Sequence, residues 1–323
     1  MNTLIRQITA LWAEALGVAD VAPDDDFTEL GGDSLLALEV SENLGNALEQ
    51  VLAPELLLNS RTPRGLAEKI LSTPPQRVGS QADPAPSLTL FVTRRPSPPA
   101  GAAGRTPLFL VHPVGGSALV YRDLAEALAP DVPVYGFTAP GLSVTGDEPL
   151  TDLTVMALMY AEELLAACPS GQFWVGGSSY GGVVAHEMAR LLELRHRPPE
   201  GALLLDSPWP PQVGREEASV IAQAEQVRTL PNPLRDRVLR ARLAHVTALR
   251  AYTPVPRSGR TVYISAAERT EEEPKAPEEG WLSVIPNLVI ETSPGGHESM
   301  LAEPHASVLA HRLIRHLRPE KLH

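Results

Sequence analysis

From Pro107 onward, short apolar runs alternate with helical patterns, and few folds accommodate that alternation. Leu108–Val111, Val132–Phe137, Phe173–Val175, Ala202–Leu205, Thr261–Ile264 and Asn287–Ile290 read as strands buried on both faces. Helical patterns fall near Leu119–Leu128, Leu153–Ala167, Gly182–Leu194 and Ser307–His316. Strands that alternate with helices predict a mostly parallel sheet with helices on both faces. Residues 208–257 interrupt the pattern: they hold no apolar run but carry helical material, notably Leu234–Tyr252. A helical insertion between two strands of such a sheet predicts a lid.

The first 72 residues follow a different rule. Leu4, Ile5, Ile8, Leu11, Trp12 and Leu16 share the apolar side of one helix. A second helix begins near Ser34, a short turn spans Leu52–Leu58, and a last helix starts at Pro63 with Leu66, Ile70 and Leu71 on its apolar side. This predicts a small all-α bundle of three or four helices. Residues 73–106 hold seven prolines among Ser, Gly, Gln and Ala and read as a semi-flexible linker. The expected plan is a bundle over 1–72, a Pro-rich linker over 73–106 and a sheet domain over 107–320 with a lid at about 208–257.

Charge narrows the partners. The net charge of −12 argues against duplex nucleic acid. Twelve acids face four bases within residues 1–72, a density that suits a module visiting basic partners. Cys168 is the single cysteine, so the chain can build neither a disulfide framework nor a cysteine zinc site. No apolar run reaches 18 residues and no secretory pattern is visible; the expectation is a cytoplasmic protein without a membrane partner or a metal.

Two motifs carry chemistry. Phe173–Gly182 joins an apolar strand to a helix, and Gly177-Ser178-Ser179-Tyr180-Gly181 fits G-x-S-x-G, a turn that holds its serine in a strained conformation. Register makes Ser179 the nucleophile and leaves Ser178 pointing elsewhere. A hydroxyl needs a base to take its proton. Among His112, His186, His245, His297 and His305, only His297 lies on the glycine-rich loop after the last strand, where the order Ser…Asp…His places it. His112 follows a strand and could line the site without being the base. Asp206 ends the strand Leu203–Leu205 and is the expected orienting acid; capping of the next turn is the alternative. The oxyanion calls for two backbone N–H groups, expected from Tyr180 and from Val114, with Gly115 as the alternative to Val114.

The second motif is Phe27-Thr-Glu-Leu-Gly-Gly-Asp-Ser-Leu-Leu36. Gly31 and Gly32 allow a sharp turn before a helix, and Ser34 then falls at a first turn whose N–H groups and dipole favour a phosphate. An ordinary N-cap at Asp33 or Ser34 is the simpler reading of those two residues alone.

The longer string resembles the phosphopantetheine attachment site of acyl and peptidyl carrier proteins, most closely the peptidyl carriers of nonribosomal peptide synthetases. Residues 107–318 resemble the type I thioesterase domains of nonribosomal peptide and polyketide synthases, an α/β-hydrolase fold. The resemblance covers the His112-Pro-Val-Gly-Gly loop, the elbow, the Leu-Leu-Asp206-Ser strand end and the Gly-Gly-His297-Glu-Ser-Met-Leu loop. It implies 4'-phosphopantetheine borne on Ser34, loaded by a phosphopantetheinyl transferase, and an acyl or peptidyl thioester delivered by upstream synthetase modules. It implies transfer of that chain to Ser179 and release by hydrolysis or cyclisation. A linker of 34 residues would raise the local concentration of the carrier. Two other readings remain at this point: a proofreading thioesterase or small-molecule esterase, and a docking module whose hydrolase domain only binds.

Overall fold

The computed structural model describes residues 1–32, 34–50, 52, 54–72, 88–91, 106–142, 148–212, 232–269 and 277–317. They form two compact units.

The first unit is a bundle of helices α1 (Asn2–Leu16), α2 (Ser34–Leu48), α3 (Pro54–Ser60) and α4 (Pro63–Ser72). Ile8, Trp12, Phe27, Val40, Leu44, Leu57 and Leu66 form its interior. Trp12 meets Phe27 edge to face at 4.8 Å. Helix α1 stops at Gly17, whose left-handed backbone (φ 66°) returns its N–H to the carbonyls of Ala13 and Glu14. Leu71 departs from expectation and is 61% exposed. It sits 100° round the helix from Ile70, which takes the inward position with Leu66.

The second unit is a seven-stranded sheet in the order β1-β3-β2-β4-β5-β6-β7. Its strands are β1 (Leu88–Leu90), β2 (Leu108–Val111), β3 (Val134–Phe137), β4 (Trp174–Ser178), β5 (Gly201–Leu205), β6 (Thr261–Ala266) and β7 (Leu288–Ser293). All pairs are parallel except β1 with β3. The helices are α5 (Arg122–Leu128), α6 (Leu153–Ala167), α7 (Tyr180–Leu194), α8 (Asn232–Ala251), α9 (Pro277–Leu282) and α10 (His305–Leu317), with a 3-10 turn at Ala118–Tyr121. Strands β2, β4, β5 and β6 are buried throughout, which is why each carries a short apolar run.

Two elements differ from the sequence reading. Strand β1 lies inside the stretch expected to be linker, so the sheet recruits chain from before Pro107. Three residues after Pro86 are too short to show a period, and an edge position tolerates nearby proline. Strand β7 is not buried on both faces: Val289 and Ile290 are each 42% exposed. It is the sheet edge opposite β1, with only β6 beside it. Of the expected lid, the described residues show a 3-10 turn at Pro210–Gln212 and helix α8; residues 213–231 lie outside them, as does most of the expected linker. Cys168 caps α6 and is buried. Among the described residues, no helix is long and apolar enough to cross a membrane.

Candidate active site

Parallel strands in register deliver their C-terminal ends to one edge of the sheet. Val111 of β2 pairs with Gly177 of β4, Ser178 with Leu205 of β5, Leu205 with Ile264 of β6, and Ala266 with Ser293 of β7. The segments that follow these ends hold the His112–Gly116 loop, Ser179, Asp206, Arg269 and His297. In open α/β sheets this edge is where ligands bind.

Ser179 occupies the turn between β4 and α7 with φ 55° and ψ −126°, a conformation costly for a residue with a Cβ. Its N–H donates to the Leu205 carbonyl at 2.9 Å, which ties the elbow to the strand that carries Asp206. A Cβ on Gly177 would lie 2.3 Å from the Gly181 carbonyl carbon, and one on Gly181 would lie 2.1 Å from the Val111 oxygen. Both positions therefore require glycine. Ser178 points away from the site into the interior, 2% exposed. Tyr121 braces the elbow from below: its hydroxyl donates to the Val111 carbonyl at 2.6 Å and accepts from the Ser178 N–H at 2.7 Å.

Asp206 follows β5 with a positive φ of 45°. Its carboxylate is buried and receives three donors. Nδ1 of His297 lies 2.6 Å from Oδ2; the Ala266 N–H reaches Oδ1 at 3.0 Å and Nη2 of Arg269 reaches it at 2.6 Å. Burial opposes the charge, but the hydrogen bond from His297, the Ala266 N–H and the charges of His297 and Arg269 together hold the carboxyl below the ordinary carboxylate range. The loop of His297 is fixed to the segment after β6 by Ala267 N–H to Ser293 O (2.9 Å) and Glu268 N–H to Gly295 O (3.1 Å).

The other expected donors sit beside the elbow. Tyr180 is the first residue of α7, so its N–H has no partner within the helix. Val114 lies in the turn closed by Gly116 N–H to Pro113 O at 2.9 Å. Its carbonyl accepts from Nδ1 of His245 on α8 at 2.8 Å. His245 packs face to face against both His112 (4.8 Å between ring centres) and Tyr180 (5.0 Å), which are themselves 6.0 Å apart. His112 is fully buried, with Nε2 2.8 Å from the Tyr160 hydroxyl and Nδ1 2.7 Å from the Pro113 carbonyl. Burial and the neighbouring His245 push His112 well down, and burial pushes His245 down to about 4, so both rings are neutral near pH 7.

Of the residues expected from the sequence, the structure sets His297 against Asp206 and ties the backbone of Ser179 to the strand that carries Asp206. Three residues that brace this region were not expected from the sequence. Tyr121 lies at an unmarked helix start, and His245 stands out in the sequence only as a rival base. Arg269 follows a strand in a charged stretch with no pattern to single it out.

Two family models match the chain. The thioesterase domain model matches residues 106–313, more than half of the chain. The chain belongs to the thioesterase domain family. The phosphopantetheine attachment site model matches residues 6–70, so a carrier domain precedes the thioesterase domain. The chain is 33% identical over 201 residues to malpinin synthetase of Mortierella alpina, covering 62% of the chain and 2% of that protein. It is 33% identical over 183 residues to a dimodular nonribosomal peptide synthase of Bacillus subtilis, covering 57% and 7%. The chain thus spans only a few per cent of the length of these relatives. Among solved structures, the NocB thioesterase domain in covalent complex with a fluorophosphonate nocardicin G analogue is 30% identical. That match has a TM-score of 0.58 and covers 67% of the chain and 96% of the NocB domain. The four-domain nonribosomal peptide synthetase holo-AB3403, at 22% identity, shares the fold with a TM-score of 0.63 over 97% of the chain and 26% of its own.

The carrier domain fits its cofactor by position. Gly31 takes φ 93°, and a Cβ on Gly32 would lie 2.4 Å from the Phe27 ring, so the turn Phe27–Gly32 closes tightly just ahead of α2. Ser34 is the first residue of that helix, where N–H groups without helical partners and the dipole favour an attached phosphate.

Proposed function

We propose that this chain ends a biosynthetic assembly line: Ser34 carries the 4'-phosphopantetheine, and Ser179 takes the acyl or peptidyl chain and releases it. The bound cofactor supplies a thiol on which the chain is held as a thioester. The observation that supports the reading best is the 2.6 Å contact between His297 and Asp206, one strand over from a serine on a strained elbow.

The chemistry follows from those groups. Asp206 accepts from Nδ1 of His297 and so leaves Nε2 as the base. His297 removes the Ser179 proton as the oxygen attacks the thioester carbonyl. Oxyanion charge is met by the backbone N–H groups of Tyr180 and Val114. On collapse His297 would return its proton to the leaving sulfur of the thioester, and an acyl ester would remain on Ser179. A second nucleophile, water or a hydroxyl or amine of the chain itself, attacks that ester by the same proton path. A thioester is already activated, so positioning and choice of acceptor are the main tasks of the site.

A family member at 30% identity forms a covalent complex with a fluorophosphonate, which supports the same test here. A fluorophosphonate should label Ser179, and Ser179→Ala should lose both labelling and thioester turnover. Labelling that persists in Ser179→Ala would overturn the assignment. Upstream synthetase modules, a phosphopantetheinyl transferase and a cytoplasmic setting belong to the same proposal; product analysis with a series of acylated synthetic thioesters tests whether acid or ring is released.

A further inference from the structure

We propose that Arg269 is a positioning residue of the hydrolase site: its guanidinium clamps the second oxygen of Asp206 and so keeps His297 available as a free base. The inference rests on the reading of Asp206 and His297 as acid and base.

The two oxygens of Asp206 are used differently. Oδ2 faces the imidazole at 2.6 Å. Oδ1 takes the Ala266 N–H at 3.0 Å and Nη2 of Arg269 at 2.6 Å. The carboxylate is 2% exposed and the Arg269 side chain 25%, so solvent screens the pair only from the arginine side. Two donors on one oxygen fix the plane of the carboxylate, and that plane aims Oδ2 at the ring nitrogen. The guanidinium also offsets part of the negative charge that would otherwise stabilise the imidazolium. His297 then holds its free-base form to lower pH than it would beside an uncompensated carboxylate. Arginine keeps its charge at every working pH, so the clamp does not itself titrate.

Other groups bear on the same balance. Tyr263 of β6 hydrogen-bonds Arg269, and Glu278 of α9 adds negative charge near it. Glu298 follows His297 and faces the Arg242 charge on α8, while the His305 ring packs against Gly295 in the same loop. Among these, Arg269 is the cation in direct contact with the acid.

The test is the rate at which a fluorophosphonate phosphonylates Ser179 in the full chain, read by intact mass from about pH 5 to 9. In this step the serine oxygen bonds to phosphorus, fluoride leaves and His297 takes the serine proton. Arg269→Gln should move the acid limb of the rate profile up by about one pH unit, a roughly ten-fold loss on the acid side, while the plateau at high pH changes far less. Arg269→Lys, which keeps charge but not the planar fork, should fall between. A limb that superimposes on the native one in both variants would overturn the clamp, whatever the plateau does. A native chain that is not labelled, or an Asp206→Asn variant labelled as fast as native, would sink the acid–base reading and the clamp with it.

Discussion

Nδ1 of His297 lies 2.6 Å from Oδ2 of Asp206, across 91 positions of sequence. The contact exists because β5 and β7 flank β6 in parallel register and end at the same edge of the sheet. It fixes which ring nitrogen carries the proton. Asp206→Asn can present an amide N–H to Nδ1 and so favours the wrong tautomer. Turnover of a synthetic acyl thioester should fall by about a thousand-fold or more with KM little changed. Steady-state kinetics at the pH optimum checks this.

The elbow has no room for a side chain. Gly181→Ala would drive a methyl group to 2.1 Å from the Val111 oxygen, a backbone atom of the buried strand β2 that cannot step aside. The expected result is loss of Ser179 labelling and a destabilisation of roughly 3 kcal/mol or more, read from urea unfolding by circular dichroism. A variant as stable and as reactive as native would show that the turn is looser than its geometry implies.

His245 ties helix α8 to the His112–Gly116 loop through its 2.8 Å bond to the Val114 carbonyl. His245→Ala removes the donor and the ring packed against both His112 and Tyr180. Loss of one buried hydrogen bond at the loop predicts a drop in kcat of about ten-fold, larger than any change in KM. Unchanged kcat would mean that the loop holds its shape without the helix.

Acid should loosen the sheet unit before it protonates the carboxylates. His186 and His245 are buried and pushed down to about 4, against an ordinary value near 6.5. The unfolded chain therefore binds more protons between those two values, and stability falls as pH drops through that window. Each group contributes on the order of 3 kcal/mol across it, with no further loss from either below about pH 4. The urea midpoint should be clearly lower at pH 5 than at pH 7. His186→Gln, which can still donate to the Val255 carbonyl, should flatten that dependence.

The carrier domain offers an independent check. Incubation with coenzyme A and a phosphopantetheinyl transferase should add one arm to the native chain and none to Ser34→Ala, as read by intact mass. Trp12→Ala, which empties the contact with Phe27 beneath the attachment turn, should destabilise the bundle by about 3–5 kcal/mol.

Much of this molecule was legible in its sequence because the physics there is local. A strand buried on both faces is predominantly apolar, so β2, β4, β5 and β6 each left an apolar run in the sequence. The elbow needs glycine at 177 and 181 for steric reasons that act within a few residues, and the tight turn before α2 needs Gly31 and Gly32. Those features single out Ser179 and Ser34 as candidates, and the order of strand ends points to Asp206 and His297. What only the tertiary structure decided are the contacts between segments remote in sequence. Nothing near Leu88 marks it as an edge strand, because three residues carry no period and their partner lies at Tyr135–Phe137. Tyr121 braces the elbow from 57 positions away, and His245 reaches Val114 across 131. Arg269 meets Asp206 only because β6 runs beside β5 and releases the chain at the same edge. Local sequence selects residue types for a turn or a strand; the side chains that tune a buried charge are chosen by which strand ends the sheet brings together.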